Sequence, residues 1–293
     1  MSETQNQPLY QRHDGYLPRV AAVHDLCGYG NCSLGVAIPV LSAAGIDVCA
    51  VPTSLFSAHT GFANFYMHDT TPMLNSYLDA WHADGVELDG VYSGFLGSAE
   101  QVDVIKRLYA EYPHALHIVD PVMGDGGSKY PTYTDEMCEA TKALVADADI
   151  LTPNLTEASI LTGITYPGQN PDDATVDRMA NELLGMGAKS VILKGVVRDE
   201  KTIHNYVCTP GSNGAQVSEV TSDLLPFMLH GTGDLFASGV TAAVFAGRTL
   251  EQAASFASKL VHDAMESSRR QPDYQARGVS FEGVLGEVTA LLA

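Results

Sequence analysis

His230-Gly231-Thr232-Gly233-Asp234 runs directly into Leu235-Phe236-Ala237-Ser238-Gly239, and the reading of this stretch decides the fold. Two glycines flank a small hydroxyl residue, an acid follows, and an apolar helical pattern continues through Leu235, Phe236, Val240, Ala243 and Val244. This is how a helix N-terminus with bare backbone looks in sequence. Glycine permits a tight turn and a close approach to a ligand. The free N–H groups of the first turn, with the positive end of the helix dipole, favour an anion. Asp234 then has two readings: an N-terminal acid that stabilises the helix, or a base held beside an anion site. The local pattern favours the first, and the rest of the chain favours the second.

The chain has 293 residues, 45% of them hydrophobic, enough for one large α/β domain or two small ones. Its formal net charge of -19 argues against nucleic acid or an anionic membrane as a partner. Residues 1–17 read as a flexible polar arm and 18–293 as a single domain. The first residues carry no apolar core of the kind a signal peptide needs. No apolar run reaches the ~18 residues of a membrane span. Five cysteines at unpatterned spacings suggest reduced thiols in a cytoplasmic protein. Among them, Cys27 and Cys32 with His24 lack a second ligand pair at finger-like spacing, so they do not read as a zinc finger.

Outward from the central stretch, strand and helix patterns alternate. Arg19 to Val23 reads as a first strand, followed by the glycine-containing loop His24 to Ser33 and a helix over 34–44. Gly28 and Gly30 begin a G-x-G sequence, but Ser33 stands where a dinucleotide fingerprint has its third glycine. Asp47 to Pro52 is a second strand, and Ser57-Ala58-His59-Thr60-Gly61-Phe62 is either a small-molecule surface or a turn with a packed ring. A strand over 86–95 precedes Ser98-Ala99-Glu100-Gln101, which fits a capping box. After a strand over 117–120, Asp120-Pro121-Val122-Met123-Gly124-Asp125-Gly126-Gly127-Ser128-Lys129-Tyr130 places two acids around a glycine-rich turn, able to coordinate a hard cation and to close over a ligand. A helix over 135–146 and a strand over 148–151 lead to Thr152-Pro153-Asn154-Leu155-Thr156-Glu157, where Asn154 and Glu157 fit a cap. A helix over 172–186, a strand ending at Lys194 and a hairpin around 210–214 follow. Thr249 to Gln252 is a further capping box, and the last helix spans 281–292. The alternation predicts an α/β fold with a mostly parallel central sheet, helices on both faces and ligand loops at the strand C-termini.

Three separated motifs then line up. Gly231-Thr232-Gly233-Asp234 resembles the catalytic signature of the ribokinase-like small-molecule kinases, and Asn154-Leu155-Thr156-Glu157 resembles their Asn-x-x-Glu motif. The segment Asp120 to Asp125 is similar to that of the vitamin B6 and hydroxymethylpyrimidine kinases in this superfamily, and His59-Thr60-Gly61 to the His-Thr-Gly of pyridoxal kinases. The resemblance spans about residues 20–270. It implies a ribokinase-like fold with a short lid loop at Gly126 to Pro131 and no separate lid domain. It also implies ATP-dependent phosphorylation of the 5'-hydroxymethyl group of a vitamin B6 vitamer.

By this resemblance, Asp234 takes the proton of a primary alcohol, and the N–H groups of Gly231, Thr232 and Gly233 hold the transferring phosphoryl. Glu157 and Asp125 organise Mg2+ with ATP, partly through water. Thr152, Asn154 and Lys194 face the ATP phosphates, with Leu225 and Leu229 in the same nucleotide site. Alternatively, Lys194 is a solvated lysine at a strand end. His59, Thr60, Phe95, Tyr130 and Asp234 touch the substrate, and Asp25 or its neighbour His24 meets the ring nitrogen or hydroxyl. The family pattern leaves room for a monovalent cation and implies a homodimer. Phe95 where pyridoxal kinases often carry Tyr, the short loop Gly28 to Asn31, and His24-Asp25 in place of Ser-His all lie on the substrate side. The competing readings are a hydroxymethylpyrimidine (phosphate) kinase and a non-catalytic vitamer-binding protein on the same fold. Together Asp234, Glu157 and Lys194 speak against the latter, because binding alone needs no base. No G-x-x-x-x-G-K-[ST] sequence occurs, so the chain is not a P-loop enzyme.

Overall fold

Short apolar runs become strands and amphipathic runs become helices, in near-strict alternation. The computed structural model describes residues 7–212 and 214–293. β1 (Arg19–Cys27), α1 (Leu34–Ala43), β2 (Asp47–Phe56), β3 (Met67–Asp69) and α2 (Thr71–Ala83) come first. β4 (Gly90–Ser93), α3 (Gln101–Glu111) and β5 (Leu116–Val119) lead to a small hairpin, β6 (Gly124–Asp125) and β7 (Ser128–Lys129). Then come α4 (Asp135–Lys142), β8 (Ile150–Leu151), α5 (Leu155–Thr162), α6 (Asp173–Gly185) and β9 (Val191–Arg198). β10 (Thr202–Gly211), β11 (Gly214–Asp223), α7 (Thr232–Phe245), α8 (Leu250–Ser268), α9 (Tyr274–Arg277) and α10 (Leu285–Thr289) complete the order.

One nine-stranded sheet has the order β11-β10-β9-β8-β5-β4-β1-β2-β3. The strands from β2 to β9 in this order are parallel neighbours. Antiparallel strands form the edges, β3 on one side and β10 with β11 on the other. Successive strand residues point to opposite faces, and the core divides accordingly. Val20, Tyr92, Ile118, Ile150 and Ile192 pack with α1, α7 and α8. Ala21, Val91, Val119, Leu151 and Val191 pack with helices α2 to α6. Burial on both faces is why these strands read as near-continuous apolar runs.

Every residue of α7 from Leu235 to Phe245 is buried, as expected of a helix that is apolar all round. Gly239 lets α8 approach closely: a Cβ there would lie 3.2 Å from Ala257. At the far end, the Phe245 ring fills the space over Gly90, where a Cβ would lie 2.6 Å from it.

Several boundaries differ from expectation. β1 continues to Cys27 because it pairs with β2 as far as Cys27↔Phe56, so His24 and Asp25 lie on a strand rather than in a loop. The strand expected over 86–95 shrinks to β4. Ser98 caps nothing; its hydroxyl meets Thr71, and Gln101 instead accepts from Gly97 N–H and donates to the Thr53 carbonyl. The final helix is interrupted by 3-10 turns at Glu282–Val284 and Ala290–Leu292, consistent with the poor helical preference of Gly283 and Gly286. β3 and α2 have no counterpart among the elements expected from sequence; β3 is too short to show a pattern, whereas in α2 Leu74, Tyr77, Leu78 and Trp81 recur at helical spacing and pack on the core. Part of the N-terminal arm is fastened: Tyr10 packs on Phe245 at 4.7 Å, and Arg12 donates to the carbonyls of Ala44 and Gly45. Among the described residues, no helix is long and apolar enough to cross a membrane.

Phe245→Ala removes a fully buried ring that anchors α7 and should cost about 3–5 kcal/mol of stability. Urea unfolding of the variant beside the parent checks this.

Candidate active site

The chain leaves β1 toward β2 and β3 and later returns on β1's other side through β4, β5, β8 and β9. This reversal creates a crevice outside the carboxyl ends of β1 and β4, the usual ligand position of an open α/β sheet. A cleft opens there, lined by Asp25, His59, Thr60, Phe95, Tyr130 and Asp234 among others, a combination of rings with a few converging polar groups that a small-molecule site also shows.

The β1–β2 register shifts between His24 and Leu26, and Asp25 sits at this irregularity, a device that re-aims side chains beside active sites. Asp25 is buried; its Oδ2 accepts from the Cys27 thiol at 3.3 Å, and the Ser33 side chain also hydrogen-bonds to it. Burial pushes its pKa up. His24 points to the other face, fully buried and edge-on to Tyr92 at 4.3 Å. Burial drops its pKa to about 3, so it is neutral. Of the two neighbours, Asp25 is the one that reaches the cleft.

His59 is buried, with both ring nitrogens engaged. Nδ1 accepts from Gly61 N–H at 3.1 Å, which leaves Nε2 to donate to the Ala276 carbonyl at 3.0 Å. Its ring lies 4.5 Å from that of His230. Burial and then His230 hold its pKa down. A neutral His59 therefore offers the cleft a ring rather than a free hydrogen-bonding group. Thr60 is exposed at the rim, and Phe95 lies buried between Phe56 and Tyr133, both at 5.8 Å.

Gly231 caps α7 with φ 80°, and a Cβ there would lie 2.1 Å from the Asn31 carbonyl oxygen. Only glycine satisfies both conditions. Ser33, at the start of α1, holds φ 49° without being a glycine, a strained conformation of the kind that collects at functional sites. Its backbone N–H hydrogen-bonds to Asp234 while its side chain serves Asp25. Burial pushes the Asp234 carboxyl up to about 7; Asp120 and Asp25 add to this, and Ser33 and Lys194 oppose it.

Lys194 is buried and forms an ion pair with Asp120, whose Oδ1 also accepts from Thr152 Oγ1 at 2.8 Å. Its ammonium lies 3.9 Å from where a Gly233 Cβ would be. Burial alone would lower the Lys194 pKa, but Asp120 and Glu157 outweigh it and keep the ammonium charged. Lys194 is thus a buried, paired cation and not a solvated strand end. Glu157 completes a capping box with Asn154: Oε2 accepts from Asn154 N–H at 2.7 Å, and Asn154 Oδ1 accepts from Glu157 N–H at 2.9 Å. Glu157 Oε1 also takes Met123 N–H at 3.3 Å. Burial, and next to it Asp120, drive the Glu157 pKa upward against the pull of Lys194. The cap thus holds a buried carboxyl beside Lys194 and Asp120.

Asn154 Nδ2 donates to the Gly124 carbonyl and Thr156 Oγ1 accepts from Gly127 N–H, fixing the β6–β7 hairpin to α5. Asp125 stands exposed on that hairpin, and Tyr130, just beyond it, returns to the cleft wall. Leu225 is half-buried, and Leu229 packs in the core beside α7 while its carbonyl accepts from Thr232 Oγ1.

Two features were not assigned from sequence, and a third only in part. Asp120, directly after β5, reads from sequence as one of two acids able to hold a hard cation but not as the partner of Lys194. Asn31 donates its backbone N–H to the Arg277 carbonyl and its Nδ2 to the Val279 carbonyl, both at 2.8 Å. Residues 276–279, which close the site from the C-terminal side, carry no local pattern.

A glycine-started buried helix beside a buried, raised carboxyl at the carboxyl edge of a parallel sheet is the arrangement of a ribokinase-like phosphotransferase. The family described as phosphomethylpyrimidine kinase matches residues 38–277, and the chain belongs to this family. It is 32% identical over 268 residues to the pyridoxine/pyridoxal/pyridoxamine kinase of Bordetella avium, covering 85% of each chain. Among solved structures, a Bacteroides thetaiotaomicron protein assigned to the phosphomethylpyrimidine kinases and crystallised with pyridoxal superposes with a TM-score of 0.88 at 30% identity, covering 93% of this chain and 96% of that one. Pyridoxal kinase from Lactobacillus plantarum gives 0.86 at 28% identity, covering 94% and 98%.

Gly231→Ala should misplace the first turn of α7 and lower nucleotide affinity and turnover together, by about 10²-fold in kcat/KM. Calorimetry with ATP analogues and steady-state kinetics would read both.

Proposed function

We propose that the chain transfers the γ-phosphoryl group of ATP to the 5'-hydroxymethyl group of a vitamin B6 vitamer (pyridoxal, pyridoxine or pyridoxamine), giving pyridoxal 5'-phosphate or its analogue. The supporting observation is that one cleft runs from Asp25, His59 and Phe95 to Gly231 and Asp234, so a ring-sized molecule at one end presents its alcohol to the base at the other. The relatives' names point to the same substrate class. A hydroxymethylpyrimidine is the competing acceptor, and a product assay with Mg-ATP against vitamers and pyrimidines decides between them.

In this reading Asp234 accepts the alcohol proton as the alcohol oxygen attacks the γ-phosphorus and the bond to ADP breaks. The N–H groups of Gly231, Thr232 and Gly233 receive the charge that develops on the phosphoryl oxygens. Lys194 adds a positive charge at the same helix start, and Thr152 acts behind it by holding Asp120. Asn154 keeps the lid hairpin in place, and Leu225 and Leu229 support the nucleotide side. Asp25 meets a polar group of the ring, and His59, Phe95 and Tyr130 flank it.

The carboxylates fit a hard cation. Asp120 Oδ2 is buried and has no hydrogen-bond partner among the described residues, and oxygen donors suit Mg2+. Glu157, Asp120 and Asp125 would hold it with the nucleotide, where it supplies charge neutralisation. The homodimer implied by the family pattern has apolar surface at the β2–β3 edge, where Leu55, Phe65 and Tyr66 are exposed. Five free cysteines fit a reducing cytoplasmic setting.

Because Asp234 must be ionised to act, kcat/KM should rise with pH through about 7 and then level off. Asp234→Asn should lose roughly 10²–10⁴ in kcat with nucleotide affinity kept. Turnover within a few-fold of the parent would return Asp234 to the role of a helix cap. The raised carboxyl also predicts a stability effect. Between its unfolded pKa and about 7, the folded chain binds the proton that the unfolded chain has lost, so stability falls as pH rises. Asp234→Asn should therefore raise the melting temperature at pH 8 and leave it near the parent's at pH 4.

Glu157→Gln should raise the magnesium concentration needed for half-maximal activity. An unchanged magnesium titration would leave Glu157 as a helix cap alone.

A further inference from the structure

The end of β1 and the loop that follows it bring Asp25 together with two cysteines that phosphoryl transfer does not require. Asp25, Cys27 and Cys32 each offer a ligand atom, and these atoms all lie within 4.8 Å of one another. Cys27 Sγ is already 3.3 Å from Asp25 Oδ2. All three side chains line the cleft. We propose that Asp25, Cys27 and Cys32 form a binding site for a thiophilic divalent cation of the zinc class, and that its occupation excludes the vitamer.

The donor set carries the argument. Two thiolates and a carboxylate suit zinc, whereas Mg2+ demands oxygen ligands in octahedral geometry. The site therefore does not compete for the cation that accompanies ATP. Ligand atoms around a tetrahedral zinc lie roughly 3.3–3.8 Å apart, so the cluster needs only a slight contraction. Three protein ligands leave a fourth position, and here it opens into the cleft, where water can fill it. His24, adjacent in sequence, packs on Tyr92 on the other side of the sheet and takes no part. The turn that carries Cys27 to Cys32 has a fixed shape: Gly30 holds φ 90° and a Cβ there would strike the His59 ring at 2.2 Å. The cysteines are thus presented to the cleft by a braced loop. On ligation each thiol releases its proton to solvent. The cation engages Asp25, the group the vitamer reading assigns to the substrate ring, so the two ligands cannot share the cleft. That half of the proposal rests on the vitamer reading; the cation site does not.

The test uses the full-length protein, reduced, with its five thiols verified by titration, and Co2+ as an optical probe. One equivalent should give thiolate-to-cobalt charge-transfer absorption with the intensity of two thiolates. Cys27→Ser and Cys32→Ser should each halve it, and Zn2+ should abolish it. Cys27 is only half-buried, so its variant keeps the test decisive if Cys32→Ser fails to fold. Pyridoxal should displace the cobalt signal, and Zn2+ should raise the KM for vitamer at least tenfold without changing the KM for ATP. Absence of the thiolate band in the reduced protein, or its persistence at full intensity in the Cys27→Ser variant, would overturn the site. A zinc effect that no vitamer concentration relieves would overturn the exclusion. A normal cobalt band in a protein that phosphorylates no vitamer would uphold the cation site and sink the vitamer reading instead.

Discussion

The buried pair of Lys194 and Asp120 is the interaction on which the rest of the site depends. A buried ion pair is stable only where its geometry is good and its remaining valences are satisfied. Thr152 supplies a further hydrogen bond to Asp120, and Glu157 supplies a second acid within reach of the ammonium. Asp120 and Thr152 directly follow β5 and β8, Lys194 lies within the neighbouring β9 and Glu157 in α5, so the sheet's carboxyl edge is fixed by charge as well as by its ladder. Without the ammonium, Asp120, Glu157 and Asp234 would face one another in a dry crevice with nothing to offset their repulsion. With it, one acid stays paired while the carboxyls of Glu157 and Asp234 are raised.

This arrangement separates two tasks. On the nucleotide side, the groups are backbone N–H donors, a fixed cation and carboxylates, and their positions follow from strand ends and helix starts. On the acceptor side, the groups are rings and one buried acid: His59, Phe95 and Asp25. Asp234 stands where the two sides meet, held by the Ser33 backbone, and Ser33 in turn reaches Asp25. The strained backbone at Ser33 thus stands between the two carboxyls to which the proposed function gives acceptor recognition and proton removal.

The sequence made the fold legible because its signals are local. Doubly buried strands such as Ser190 to Leu193 announce themselves as apolar runs, and the caps at Asn154 and Thr249 form as their spacing suggests. The capping box at Ser98 failed for a tertiary reason: Gln101 found better partners in Gly97 and Thr53. The motif residues around Gly231, Asn154 and Lys194 converge at the strand ends as expected. What was not legible depends on contacts between distant segments. Nothing within His24-Asp25 tells which side chain faces the cleft; that follows from the alternation and register shift of β1 against β2. Nor does Asp120 disclose locally that it will pair with a lysine seventy-four residues away.

The clasp formed by Asn31, His230 and residues 276–279 has a temporal meaning. Val279 N–H bonds the His230 carbonyl, Asn31 bonds Arg277 and Val279, and His59 bonds Ala276. Three loops that precede these residues in synthesis therefore wait for them. In a nascent chain the turn at Gly231 acquires its final support only when residues 276–279 have emerged. The cleft is accordingly among the last parts of the molecule to be completed, together with the part of the core around α7 that Val279, Phe281, Val284 and Val288 supply.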